Sequence, residues 1–182
     1  MVRKLKLHEQ KLLRKTDFVQ WEVDQFGKQN DMLRRFHIQK REQYSMYNKL
    51  ASEARAIAEQ LKELPLNDPF RNKCVKAMLS KFYAVGLIPT ADSAERLGKV
   101  SGASFARRRL PVVMKNSGMV DSIKTASDFV EQGHVRVGHK LITDPAFVVT
   151  RAQEDAITWT NASKIRQHVA EYNNNRDDYE LA

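Results

Sequence analysis

Arg107-Arg108-Arg109-Leu110-Pro111-Val112-Val113-Met114-Lys115, followed by Ser122-Ile123-Lys124-Thr125-Ala126-Ser127-Asp128-Phe129-Val130-Glu131-Gln132-Gly133-His134-Val135-Arg136-Val137-Gly138-His139-Lys140, decides how this chain folds. Ser104 is placed to cap a helix running through the three arginines, and Pro111 either starts the main helix at its first position or kinks it. Gly118 closes that helix. Asp121 or Ser122 caps a second one, with Ile123, Ala126, Phe129 and Val130 on one face, and Gly133 stops it in the left-handed conformation glycine tolerates. Beyond it, the β-rich runs 134–137, 140–142 and 147–149 are separated by Gly138-His139 and Asp144-Pro145, which predicts a small sheet with tight turns. Residues 156–160 add a strand, and 163–172 read as a terminal helix.

Upstream, Leu5, Leu12 and Leu13 share one helical face in a cationic segment that contains Arg3, Lys4, Lys6 and Lys11, a basic arm that folds on a partner. Residues 40–64 are strongly helical, with Tyr47, Leu50, Ala54, Ile57, Leu61 and Leu64 at intervals of three and four, and Pro65 ends the run. Asp68-Pro69 supplies a cap and a first-turn proline for a helix with Val75, Met78, Leu79 and Phe82 on its stripe, closing at Gly86. Residues 88–104, with Pro89, Gly98 and Gly102, read as a connector. The expected fold class is therefore α+β. Its parts are a basic arm and helical region over 1–104, a compact helix-pair and sheet unit over 105–160, and a C-terminal helix with an acidic tail over 161–182.

The 182 residues suffice to bury a core without disulfides, and the lone Cys74 points to a reducing compartment and against a zinc cluster. Apolar runs are too short to span a membrane, so no membrane partner is expected. The N-terminus lacks a secretory h-region, and Glu9 together with the absence of serine before residue 40 argues against a mitochondrial presequence. The net charge of +9 is polarised. Residues 71–151 hold 14 basic and 6 acidic side chains, whereas residues 152–182 hold 3 and 6. A basic body of this kind suits a polyanion; the bland alternative is a solvated face that binds nothing.

Within residues 107–151, eight cations (Arg107, Arg108, Arg109, Lys115, Lys124, Arg136, Lys140 and Arg151) outnumber Asp121, Asp128, Glu131 and Asp144, and His134 and His139 add donors. Arginine forks bind phosphate in bidentate fashion and stack on bases, so these residues are the candidate RNA contacts. Three successive arginines on a helix lie about 100° apart, so one or two are expected to touch RNA while another packs or pairs. His134 weighs about two to one toward a satisfied hairpin residue rather than an RNA contact.

Arg108-Arg109-Leu110, Lys115, Gly118, Ser122, Ala126, Val130, Gly133-His134-Val135-Arg136-Val137 and Pro145-Ala146-Phe147 together resemble the S4 RNA-binding domain. The stretch from Glu131 to Gly138, the opening Met1-Val2-Arg3-Lys4-Leu5-Lys6, Asp17-Phe18, Trp21, Asp68-Pro69-Phe70-Arg71 and Ser163-Lys164-Ile165 are similar to the S4-domain proteins of the U3 small nucleolar ribonucleoprotein. Ser127 departs from the arginine many S4 domains carry on the second helix, and Gly138-His139 replaces their Asn-Gly turn. The resemblance implies an S4-type unit at 105–160 and a nucleolar component of the small-subunit processome. It also implies the partners: U3 small nucleolar RNA, precursor ribosomal RNA, a large acidic scaffold protein and other processome proteins. The implied role is to stabilise U3 RNA pairing with the precursor in early 18S rRNA maturation. The alternative is a structural small-subunit ribosomal protein of the S4 type, including an organellar one.

No catalytic residue, metal site or cofactor is expected. The first 104 residues carry no strand-helix alternation, P-loop, G-x-G-x-x-G or H-E-x-x-H, and the five histidines do not cluster with Cys74 or with paired carboxylates in sequence. Asp177-Asp178-Tyr179-Glu180 reads as a solvated tail, with competition against RNA for the basic face as its functional reading. The apolar face of the 40–64 helix, together with Phe18 and Trp21, is either core or a surface for the scaffold.

Overall fold

A computed structural model describes residues 3–15 and 25–173. Phe18, Trp21 and the acidic tail lie outside them. The helical half contains α1 (Leu7–Lys15), α2 (Gln25–Arg35), α3 (Arg41–Glu63), α4 (Pro69–Val85), α5 (Glu95–Gly98) and α6 (Gly102–Arg107). The C-terminal half contains α7 (Leu110–Asn116), α8 (Ile123–Glu131), β1 (Val135–Val137), β2 (Lys140–Leu141), α9 (Arg151–Glu154), β3 (Ile157–Trp159) and α10 (Lys164–Tyr172). An α+β architecture results, with helices first and a three-stranded antiparallel sheet of order β2-β1-β3 late in the chain.

The long helix α3 buries Tyr44, Tyr47, Ala51, Ala54, Ala58 and Leu61. Leu50 and Ile57, expected on the buried stripe, are 43% and 46% exposed instead. The reason is close packing. A Cβ on Gly102 of α6 would collide with the Asn48 side chain, so α6 meets α3 where only small side chains fit. Leu97 and Val100 fill the remaining space from the other side, joining Ala51, Ala58, Leu79 and Ile88 in one core cluster. Residues 88–104 are thus folded core with two short helices rather than a connector. Gly102 marks a close approach of backbone to α3. Ser101 caps α6 in a reciprocal box with Ser104, one turn before the serine expected to do so.

Capping on α4 follows the sequence. The Asp68 carboxylate accepts from Phe70 N–H at 2.9 Å, Pro69 occupies the first turn, and Gly86 ends the helix at φ 82°. Arg107-Arg108-Arg109 does not continue a helix. Here α6 stops at Arg107, and Arg109 (φ −65°, ψ 144°) is the cap from which α7 begins with Pro111 in its first turn. Residues 147–149, expected as a strand of the sheet, lie against this break. Leu110 N–H donates to the Phe147 carbonyl at 2.9 Å, and Val149 N–H donates to the Arg108 carbonyl at 2.8 Å.

Every residue of α7 from Leu110 to Met114 is buried, because the helix serves two cores. Leu110, Val113 and Met114 pack with Ala126, Val130, Val135, Val137, Ile142, Val149 and Ile157. Val112 packs with Phe36, Ile38, Tyr44, Tyr47, Ala103 and Ala106 of the helical half.

Three arginines reinforce that junction. Arg109 is 1% exposed and its Nη1 donates to Gln43 Oε1 of α3 at 2.8 Å. Arg108 donates from Nε and Nη2 to the Val149 carbonyl at 3.0 and 2.8 Å and pairs with Glu154, its guanidinium seated against Gly86. Arg151 donates to the carbonyls of Ile88 and Pro89 at 2.9 and 3.1 Å, with its Cζ 4.1 Å from the Tyr83 ring centroid.

Replacing Arg109 by alanine strands the Gln43 amide and opens a cavity, so Arg109→Ala is expected to destabilise by about 2–4 kcal/mol in urea unfolding. Arg107→Ala on the exposed neighbour should shift stability by less than about 0.5 kcal/mol; equal costs would contradict the buried placement. Gly86→Ala meets both a positive φ and the Arg108 guanidinium 2.8 Å from the new Cβ. It should cost more than about 1 kcal/mol in the same measurement, and a neutral result would mean Arg108 is not held there.

Candidate nucleic-acid interface

The C-terminal half displays cations where its elements end. Arg107 is the last residue of α6 and exposed; Lys115 lies exposed in the last turn of α7, where its positive charge also complements the helix dipole. Lys124 is exposed at the second position of α8, whose start is fixed by the Ser122 hydroxyl accepting from Thr125 N–H at 3.1 Å. His139 and Lys140 are exposed at the hairpin tip. The turn of two residues, Gly138-His139, has positive φ (61°) only at Gly138, a Gly-first hairpin in place of an Asn-Gly one.

Arg136 occupies the middle of the central strand β1, opposite Leu141 on β2 and Thr158 on β3. Its Nε donates to Thr158 Oγ1 at 2.9 Å, which holds the fork over the sheet's outer face with its terminal nitrogens available. Val135 and Val137 point the other way into the core. Among the described residues, none of Arg107, Lys115, Lys124, Arg136 and Lys140 forms an ion pair. These five positive charges, four on this half and Arg107 at its border, are therefore uncompensated by carboxylates.

Other expected contacts are placed differently. Arg108, Arg109 and Arg151, expected among the RNA contacts, are directed inward at the junction between the halves: two of the three consecutive arginines pack, and Arg107 faces solvent. Guanidinium donors of all three are taken by carbonyls, Gln43 and Glu154, although Nε of Arg109 and of Arg151 has no partner. His134 is half-buried, with Nδ1 3.2 Å from Ser163 Oγ and its ring edge-on to Phe129, as a hairpin residue with a satisfied bond. Ser127 is buried with its hydroxyl donating to the Ile123 carbonyl at 3.0 Å, so this position of α8 faces protein. In the arm, Arg3, Lys4, Lys6 and Lys11 are all exposed, and Arg3 pairs with Glu9 at 2.6 Å. Thr158 escaped sequence reading as a site residue; the alternation of residues 157–159 across from residues 135–137 is the signal that would have found it.

No group of three or more His, Cys, Asp or Glu converges as a metal site among the described residues, and none of the helices is long and apolar enough to cross a membrane. The arrangement offers charge and hydrogen-bond donors on a folded support, a chemistry suited to phosphate and ribose.

Two family matches divide the chain. Residues 108–155 match the S4 domain, and residues 4–107 match the ribosomal protein S4/S9 N-terminal domain. Over its whole length the chain is 67% identical to the U3 small nucleolar ribonucleoprotein protein imp3 of Caenorhabditis elegans, covering 99% of that protein. It is 50% identical to the Homo sapiens protein of the same name, again over 100% of this chain and 99% of the relative. The Saccharomyces cerevisiae protein of that name is 46% identical with both chains fully covered. By identity across its full length and by both domain matches, the chain belongs to the S4-domain family of U3 small nucleolar ribonucleoprotein proteins, a family of RNA-binding components and not of enzymes.

Proposed function

We propose that this protein is a nucleolar RNA-binding component of the U3 small nucleolar ribonucleoprotein that stabilises U3 RNA paired with precursor ribosomal RNA during early small-subunit maturation. The observation that carries this reading is the cation set without ion pairs, Lys115, Lys124, Arg136 and Lys140 on the S4 half with Arg107 at its border and His139 beside it, in a chain whose relatives carry the U3 ribonucleoprotein name. A short intermolecular duplex dissociates easily because two phosphate backbones repel. Fixed cations laid along both strands release condensed counterions and lower that repulsion, with no bond made or broken. The basic arm, with Lys4, Lys6 and Lys11, extends the same attraction along the backbone.

An acidic scaffold protein and other processome proteins complete the assembly in this reading. The exposed apolar ridge of Met46, Leu50 and Ile57, which lies along one side of α3, supports a protein partner on the helical half. The identity to relatives bearing the U3 name favours this role over that of a structural ribosomal protein of the S4 type.

Binding of the full chain to U3 RNA annealed to a precursor segment tests the site. The variant Lys115→Gln/Lys124→Gln/Arg136→Gln/Lys140→Gln should weaken binding and reduce the slope of log K against log salt by about 2–4, at roughly 0.7–0.9 per lost phosphate contact. An unchanged slope would remove this face from the interface. Sedimentation of cell extracts tests the role: the protein should travel with large nucleolar precursors, and its presence in mature small subunits would favour the ribosomal alternative.

A further inference from the structure

The helical half has a cationic feature of its own, away from the residues discussed so far. Arg55, Glu59 and Lys62 lie at spacings of four and three on one face of α3 and form one wall of an open cleft of about 610 Å³. Arg71 from the first turn of α4 stands at one side, and Ala94, Glu95, Gly98 and Lys99 line the other. The four cations outnumber the two carboxylates, and among the described residues no ion pair links any of the six.

Two of the cations are oriented by backbone. Arg55 Nε donates to the Ala51 carbonyl at 3.2 Å, and Arg71 Nη1 donates to the Leu64 carbonyl at 3.3 Å. Each bond uses one corner of a planar fork and leaves its other N–H groups for a ligand. The Lys62 ammonium is 3.9 Å from the point a Cβ on Gly98 would occupy, so the opposite wall is low where that charge reaches over.

We propose that this cleft is a second RNA-binding site, taking a ribose-phosphate unit on the helical half. Phosphate oxygens accept from Arg55, Lys62, Arg71 and Lys99, while the carboxylates of Glu59 and Glu95 accept from ribose 2′-hydroxyls. That division explains why acids stand among the cations: they penalise a bare anion but favour a polyanion that also carries hydroxyl donors. Six of its eight lining residues carry a charged group, which favours a ligand rich in charge and hydroxyls. The inference rests on RNA being this protein's partner.

The test uses the full chain, a 30-nucleotide mixed-sequence RNA and the DNA of the same sequence, with Lys62→Gln/Lys99→Gln and Glu59→Ala/Glu95→Ala as variants. All four positions are exposed, and thermal melts should match the parent protein. The lysine pair should lose about 3- to 10-fold in RNA affinity, with the salt slope reduced by roughly 0.7–1.8 for one or two lost phosphate contacts. The glutamate pair should bind DNA more tightly and lose its preference for RNA. Wild-type affinity and slope in the lysine variant would overturn the inference. So would intact RNA binding combined with lost binding of an Asp/Glu-rich peptide, which would make the cleft a protein-docking surface. The S4-half variant measured in parallel separates the two readings: a reduced slope there with an unchanged slope here sinks only this one, and RNA binding unaffected by either sinks both.

Discussion

Three guanidinium groups held inside the protein fix the S4 half on its helical support. Burying a cation is costly unless its donors are met, and here the carbonyls of Val149, Ile88 and Pro89, an amide oxygen, a carboxylate and an aromatic face offset part of that cost. Arginine suits this task better than lysine because its charge is spread over a planar fork that is less strongly hydrated and remains protonated when desolvated. The bonding is incomplete, since Nε of both Arg109 and Arg151 has no partner. Such groups weaken the net stabilisation but make the geometry specific: another docking angle would leave still more donors unmet. Arg109 lies where α6 breaks, Arg151 starts α9, and Gln43 belongs to α3, so the hydrogen bonds of Arg109 and Arg151 join segments 62 or more residues apart in sequence, and those of Arg108 join segments 41 and 46 apart.

The same commitment decides what remains for RNA. Once Arg108, Arg109 and Arg151 are spent internally, the unpaired cations on the C-terminal half include three lysines, Lys115, Lys124 and Lys140. A lysine ammonium is a compact, well-hydrated charge that keeps its water until a phosphate arrives. Contact through such groups follows backbone path rather than base identity. Arg107 and Arg136 are the exposed exceptions. Arg136 is held by Thr158 at the centre of the sheet, where its fork is oriented before any ligand binds.

Much of the fold was legible because its punctuation is local. Asp68-Pro69 and Gly86 bracket α4, Ser122 and Gly133 bracket α8, Ser163 caps α10, and Gly138 turns the hairpin, each through a bond or a φ value set within a few residues. Long-range packing was not legible. On α3 the predicted stripe holds at Tyr47, Ala54 and Leu61, but Leu50 and Ile57 are exposed, and the small Ala51 and Ala58 are buried in a core that their size does not announce. Gly102 resembled a loop residue while opening a helix packed closely on α3, and Gly98 did so while ending a short helix. A period count weighs side-chain size and does not know how near the next backbone will be.

The candidate site divides along a similar line. Residue type and charge identified a cationic segment, and the exposed positions Arg107, Lys115, Lys124, His139 and Lys140 were all within reach of that reasoning. Which arginines turn inward was not, since the partners that capture them, Gln43, Glu154 and the carbonyls of Ile88, Pro89 and Val149, are distant in the chain or carry no sequence signature. A break in the helix at Arg108-Arg109 is what separates the roles. Were the three consecutive arginines on one continuous helix, their directions would follow from a 100° step; with α6 ending at Arg107 and α7 starting at Leu110, one points to water and two into the junction. Pro111 in the first turn of α7 and the pairing of residues 147–149 with the broken backbone stabilise that interruption. The sequence element that most suggests RNA binding is therefore also the element that holds the two halves together, and its mutation to alanine as a block would confound loss of contact with loss of fold.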